Sequence, residues 1–157
     1  LWSVLDSGFT RVAAMRGCGG HWALPGALWD LKAEATRAGR DVTIRLLDVA
    51  SGWKEIQESI FPGADGGHAA VMETALCLAE RPGLVRHDRI TVPILDQLHE
   101  RYVDAGEVFL FNEMTSTGAL GDPGPATAEG GVAAWQLSIE SLAEHLQAFA
   151  QIDGLRA

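Results

Sequence analysis

A histidine and a carboxylate stand five residues apart in the stretch Gly66-Gly67-His68-Ala69-Ala70-Val71-Met72-Glu73-Thr74, directly after a glycine-rich turn. Imidazole gives and takes protons near neutral pH, so His68 suits proton transfer. Its bland alternative is a histidine that caps a helix or bonds nearby backbone. A carboxylate such as Glu73 can bind a metal, orient a catalytic group or accept backbone amides. An ideal helix turns a residue five positions on well away from the first. The two side chains therefore converge only if His68 lies in the turn before the helix proper. Asp65 could pair with His68 and set its tautomer, although acidic residues in glycine-rich turns often serve the turn itself.

An upstream turn, Arg16-Gly17-Cys18-Gly19-Gly20-His21, carries a second pair. Thiolate and imidazole both suit zinc, and Cys-x-x-His spacing can place two ligands on one ion. Two ligands do not make a site, so His68 or Glu73 would have to join Cys18 and His21. Cys18 can also be read as a nucleophile served by a histidine base, or as a small buried thiol in a tight turn. A third turn, Thr117-Gly118-Ala119-Leu120-Gly121-Asp122-Pro123, lies downstream. Three such turns suggest loops gathered at one site. None has the dinucleotide-binding spacing or the Walker lysine. Trp22 follows the first turn as a pocket wall, and Trp53 sits where a substrate-covering loop could lie. Trp29 and Trp135 fit helix faces directed inward. Arg81, Arg86, His87 and Arg89 form a basic cluster, readable as a solvated face or an anion contact.

These turns need elements to hold them. Residues 1–8 read as the last turns of a helix ended by Gly8. Thr10 to Met15 is a short apolar run of strand character, residues 22–38 a helix with Trp22, Leu24, Leu28, Leu31 and Ala35 on one face, and Val42 to Leu47 a strand. Pro25 suits the first turn of that helix and Gly39 its end. Strand, turn, helix, strand is the βαβ signature of an α/β fold. Trp53 to Ile60 is a short helix broken at Pro62-Gly63, and residues 68–80 form the next helix. Residues 84–95 are irregular or weakly extended. Residues 108–111 are a possible third strand, 113–126 a loop, and 127–150 a long helix capped by Thr127, with an apolar stripe of Ala133, Leu137, Ile139, Leu142, Leu146 and Phe149. Three strands are few for a doubly wound sheet, which suggests that a leading segment is absent.

The chain has 157 residues, enough for one domain with a real core. Its formal net charge of −9, with only 12 Lys and Arg, argues against nonspecific nucleic-acid binding, which rests on many basic phosphate contacts. No apolar run is long enough to span a bilayer. Two cysteines make no disulfide framework, and no secretory leader is visible, so a cytoplasmic location is expected.

Taken together, the motifs resemble the creatininase family, which includes creatinine amidohydrolase and related amide hydrolases. The family's Asn-Gly-His-Gly-Gly-Asn turn is matched by Arg16 to His21, its Asp-x-His-Ala-Gly-x-x-Glu-Thr-Ser signature by Gly66 to Ala75, and its Gly-x-x-Gly-Asp-Pro and Ala-Thr-x-Glu-x-Gly signatures by Gly118 to Pro123 and Ala126 to Gly131. The order and spacing agree over nearly the whole chain. Three departures stand out. Cys18 replaces the family's metal-binding His, His21 its Asn, and Ala70 the Gly of His-Ala-Gly. The early block in which a Glu, a His and an Asp supply most of a two-metal site has no counterpart here.

The resemblance implies an α/β, three-layer sheet with flanking helices, with residues 1–157 as a single portion lacking the leading segment. It implies a metal-dependent hydrolase of a non-peptide C–N bond in a small molecule, in which His68 moves the proton and Glu73 binds metal or orients catalytic groups. Cys18 and His21 would contribute to the metal site, and Asp122 would line the pocket with Trp22 and Trp53. The metal would be zinc, with manganese or iron as alternatives, and would need residues outside this chain. A homo- or hetero-oligomer follows, with a partner or segment supplying the missing Glu, His and Asp. Two other readings are a non-catalytic subunit that pairs with a catalytic homologue, and a repurposed enzyme that uses Cys18.

Overall fold

A computed structural model of the chain describes residues 1–18, 20–48, 52–92 and 110–152. It forms two compact units, Leu1–Ser51 with Ile139–Ala157, and Gly52–Ser138. Among the described residues no helix is long and apolar enough to cross a membrane.

In the first unit, α1 (Trp2–Asp6) leads into β1 (Arg11–Arg16), then α2 (Leu24–Arg37), then β2 (Thr43–Asp48). The strands pair in parallel, with Val12 opposite Ile44 and Met15 opposite Leu47. A parallel pair requires a crossover, and α2 supplies it. Leu28, Leu31 and Ala35 recur at helical spacing and are buried. Leu31 and Ala35 join Leu5, Val12 and Val42 in one core, against which Val4 and Ile44 pack. The Lys32 ammonium donates to the Val42 carbonyl and ties helix to strand. α2 stops at Gly39, whose φ of +72° is open to glycine at little cost. The Gly39 N–H donates to Thr36 and the Arg40 N–H to Ala35, the paired closing bonds of a Schellman motif.

The second unit holds α3 (Trp53–Ile60), α4 (Val71–Glu80), two single 3₁₀ turns (Pro82–Leu84 and His87–Arg89), α5 (Phe111–Met114) and the start of α6 (Ala128–Ala150). Phe61, Val71, Met72, Ala75 and Ala134 form its core. Gln57 is the buried polar residue under the Pro62-Gly63 break. Its Nε2 donates to the Ala64 carbonyl at 2.7 Å, so its amide is not left unsatisfied. The Gly130 N–H donates to Thr127 Oγ1 at 3.0 Å, so Thr127 caps α6 as its residue type predicts. Gly130 and Gly131 let α6 approach closely. A Cβ on Gly131 would stand 1.9 Å from the Ala75 carbonyl oxygen, and one on Gly130 would stand 2.2 Å from the Phe61 ring.

Several expectations are corrected. The helix predicted from residue 22 begins at Leu24, and Trp22 is 72% exposed in the turn before it rather than on its inner face. Trp29 and Trp135 point outward, at 78% and 41% exposed. The α6 stripe is also largely uncovered. Phe149 is buried, as is Ala134 beside the predicted Ala133, while Leu137, Ile139 and Leu146 are exposed. Helical period marks an apolar face but not what covers it. The third strand does not form where it can be seen. Residues 108–109 lie outside the described residues, Leu110 precedes α5, and Phe111 opens that helix. The described residues thus contain a two-stranded parallel sheet with flanking helices.

Candidate functional site

The second and third glycine-rich turns lie against each other. The Leu120 N–H donates to the His68 carbonyl at 2.8 Å. Gly67 adopts φ +138°, and a Cβ there would stand 3.1 Å from the Leu120 carbonyl oxygen. A Cβ on Gly121 would meet the Gly66 carbonyl oxygen at 2.7 Å and Ala70 Cβ at 2.8 Å. Backbone therefore passes backbone with no room for side chains, which is why these positions are glycine.

The seam sets the geometry of His68. Helix α4 begins at Val71, so His68 lies in the turn before it. Glu73, in the first turn, reaches back over that turn. Its Oε2 accepts the Ala69 N–H at 2.6 Å and stands 3.8 Å from His68 Nδ1. The first contact is a short, charge-assisted hydrogen bond. The second is too long for one and is an electrostatic contact that strengthens when the ring is protonated. Both side chains are about half exposed, at 52% and 50%. Glu73 is thus neither a buried carboxylate nor free to swing. Ala69, between them, holds φ +53°, a left-handed conformation that costs an alanine about 1 kcal/mol. The Phe111 ring meets His68 edge-on, with centroids 5.1 Å apart and planes at 84°. Among the described residues Asp65 makes no ion pair with His68. The carboxylate facing the ring is Glu73.

Beside this pair opens a cleft of about 370 Å³. Ala69, Glu73, Thr74 and Cys77 line one wall, from the turn and α4. Leu84 to Arg86 and Arg89 to Thr91 line another, and Thr117, Ala119 and Pro123 of the third turn complete it. Sequence reasoning missed Phe111, which it placed in a strand. It also missed that Thr117, Arg86 and Arg89 line the cleft, although the clustering of the arginines was visible.

The remaining residues predicted for the site lie as follows. Cys18 is exposed, and its Sγ accepts the Gly20 N–H at 3.4 Å, so it is not a buried thiol. The His21 N–H donates to the Cys18 carbonyl at 3.3 Å, which folds the Cys-x-x-His turn through its backbone. Trp53 packs partly buried against the second unit's core. Asp122 Oδ1 accepts the Gly124 N–H at 2.8 Å and so serves its own turn. Among the described residues, no three His, Cys, Asp or Glu side chains gather closely enough to hold a metal ion. The described donors therefore do not by themselves complete a zinc site, which takes at least three protein ligands.

The comparisons with known proteins bear on the whole arrangement. The family model for creatininase, described as creatinine amidohydrolase, matches residues 1–146. No curated protein matches. Among solved structures, a tryptophan-to-phenylalanine variant of creatininase is similar with a TM-score of 0.76 and 24% identity, covering 93% of this chain and 58% of that one. A candidate creatinine amidohydrolase from Bacteroides fragilis NCTC 9343 is similar with a TM-score of 0.69 and 23% identity, covering 99% of this chain and 60% of that one. At these identities the likeness is one of fold, and the chain spans about three fifths of each relative's length. With the family match over residues 1–146, the small parallel sheet and its flanking helices place this chain in the creatininase family.

Proposed function

We propose that the chain is part of a metal-dependent hydrolase acting on a non-peptide C–N bond, an amide or cyclic amide, in a small molecule. The observation that carries this reading is the pairing of His68 with Glu73 at the head of α4, where Glu73 lines a cleft. The metal, zinc or else manganese or iron, would be completed by a Glu, a His and an Asp outside this chain, in a homo- or hetero-oligomer. Cys18 and His21 would be its contribution to that shared set, with Glu73 as a further donor. When bound, the ion would polarise the carbonyl and activate water. What this chain supplies is proton movement and placement. Glu73 holds the turn by accepting the Ala69 N–H, and its carboxylate stands 3.8 Å from the His68 ring. His68 Nε2 then gives the proton to the departing nitrogen. Trp22, Trp53 and Asp122 do not line the cleft beside Glu73 and are proposed as pocket wall only in the completed assembly.

The second reading is a supporting subunit without its own catalysis. In it the missing Glu, His and Asp belong to a catalytic homologue. Native mass spectrometry of the purified assembly separates the two. A second chain with one or two transition-metal ions supports the hydrolase, and loss of amide turnover in His68→Ala would then assign the proton carrier. This chain alone, without metal and without turnover of small amides, overturns the hydrolase reading.

A further inference from the structure

The cleft has two chemically different walls. Glu73 stands on one, and Arg86 and Arg89 stand on the other. Arg86 precedes the 3₁₀ turn His87–Arg89 and Arg89 ends it. The Arg89 N–H donates to the Arg86 carbonyl at 2.9 Å. His87 and Asp88 fall elsewhere and do not line the cleft.

Among the described residues neither guanidinium forms an ion pair, with Glu73 or with any other carboxylate. Thr91 and Thr117 add hydroxyl groups to the same lining. Guanidinium forks bind carboxylate and phosphate in preference to neutral groups.

We infer that Arg86 and Arg89 recognise an anionic group on the substrate, so that the molecule entering this cleft carries a carboxylate or a phosphate as well as the C–N bond to be cleaved. This rests on the hydrolase reading for the C–N bond alone. Recognition of the anion is a property of the cleft and is measured without turnover.

The test is calorimetric titration of the purified protein with succinamate, which carries one carboxylate and one amide, and with succinamide, its neutral counterpart. Succinamate is expected to bind about tenfold tighter or more, from one charge-assisted contact. The preference should shrink in R86Q and in R89Q, and vanish in the double variant. Arg81→Gln removes the same charge outside the lining and should leave it intact. Succinate and inorganic phosphate, used as competitors, identify the anion by which displaces succinamate better. Equal binding of succinamate and succinamide by the unaltered protein overturns the inference, even if no variant folds. So does a preference that survives the double substitution, or failure of both competitors. Absence of amide turnover with the binding preference intact would instead count against the hydrolase reading alone.

Discussion

Glu73 bridges a backbone amide and an imidazole. Its Oε2 accepts the Ala69 N–H at 2.6 Å while standing 3.8 Å from His68 Nδ1. One oxygen atom thus fixes the turn that carries the histidine and faces the histidine ring. The two duties respond differently to substitution. Glu73→Gln keeps an acceptor for Ala69 but removes the carboxylate facing His68, so folding should change by less than about 0.5 kcal/mol while any activity that depends on that carboxylate falls. Glu73→Ala removes both, and urea denaturation should show a loss of about 1 kcal/mol, as for a lost helix-end bond. Equal stability losses in the two variants would mean that charge, not the amide bond, holds the turn.

Ala69 offers an independent probe of that turn. Its φ of +53° costs about 1 kcal/mol with a Cβ present. Glycine removes this strain but loses about 0.5 kcal/mol through the freer unfolded chain. Ala69→Gly is therefore expected to stabilise by about 0.5 kcal/mol, and Ala69→Val to destabilise by more than 1 kcal/mol on the same principle of left-handed strain. A destabilising glycine, measured by chemical denaturation, would show that the left-handed turn is not what the native chain holds.

Much of this site can be read in the sequence, for identifiable reasons. The βαβ unit is legible because Thr10 to Met15 and Val42 to Leu47 are apolar runs bounded by turn residues, with a helical period between them. The His68–Glu73 pairing is legible as a condition, that His68 precede the helix, and α4 starting at Val71 meets it. The orientations of Trp22, Trp29 and Trp135 are not legible, because period identifies a face without naming its neighbour. Phe111 fails for a different reason. A four-residue apolar run fits a strand or a helix start equally well, and the Glu113 carboxylate accepting the Leu110 N–H at 2.7 Å decides for the helix. That Arg86 and Arg89 both line the cleft is not legible, because the segment around the single 3₁₀ turn is too short to leave a periodic signal.

Both thiols are exposed, which separates the readings of Cys18. Iodoacetamide should label Cys18 and Cys77 in the folded protein, and peptide mass mapping would count them. Cys77 lines the cleft, so an adduct there should block binding of small molecules to it. In Cys77→Ser, alkylation of Cys18 alone then reports on Cys18. Loss of activity with metal content and folding unchanged would favour a thiol nucleophile. Loss of metal would favour a ligand role, and full activity would assign Cys18 to neither.

The two glycines at the start of α6 meet different obstacles, and this predicts different responses to the same substitution. A Cβ on Gly131 would stand 1.9 Å from the Ala75 carbonyl oxygen, which belongs to the α4 backbone and cannot rotate away. A Cβ on Gly130 would stand 2.2 Å from Phe61 Cζ, the far edge of a side chain. Gly131→Ala must push α6 off α4 and is expected to cost about 3 kcal/mol, at the upper end for overpacking. Gly130→Ala should cost less in a background where the ring is gone. In Phe61→Leu, itself destabilising through lost packing in the second core, adding Gly130→Ala should recover part of its single-variant cost, whereas adding Gly131→Ala should recover none. A double-mutant cycle by urea denaturation reads this directly. Equal coupling of both glycines to Phe61 would mean that α6 moves as a rigid body, and that the close helix contact in this family signature does not rest on the Ala75 carbonyl.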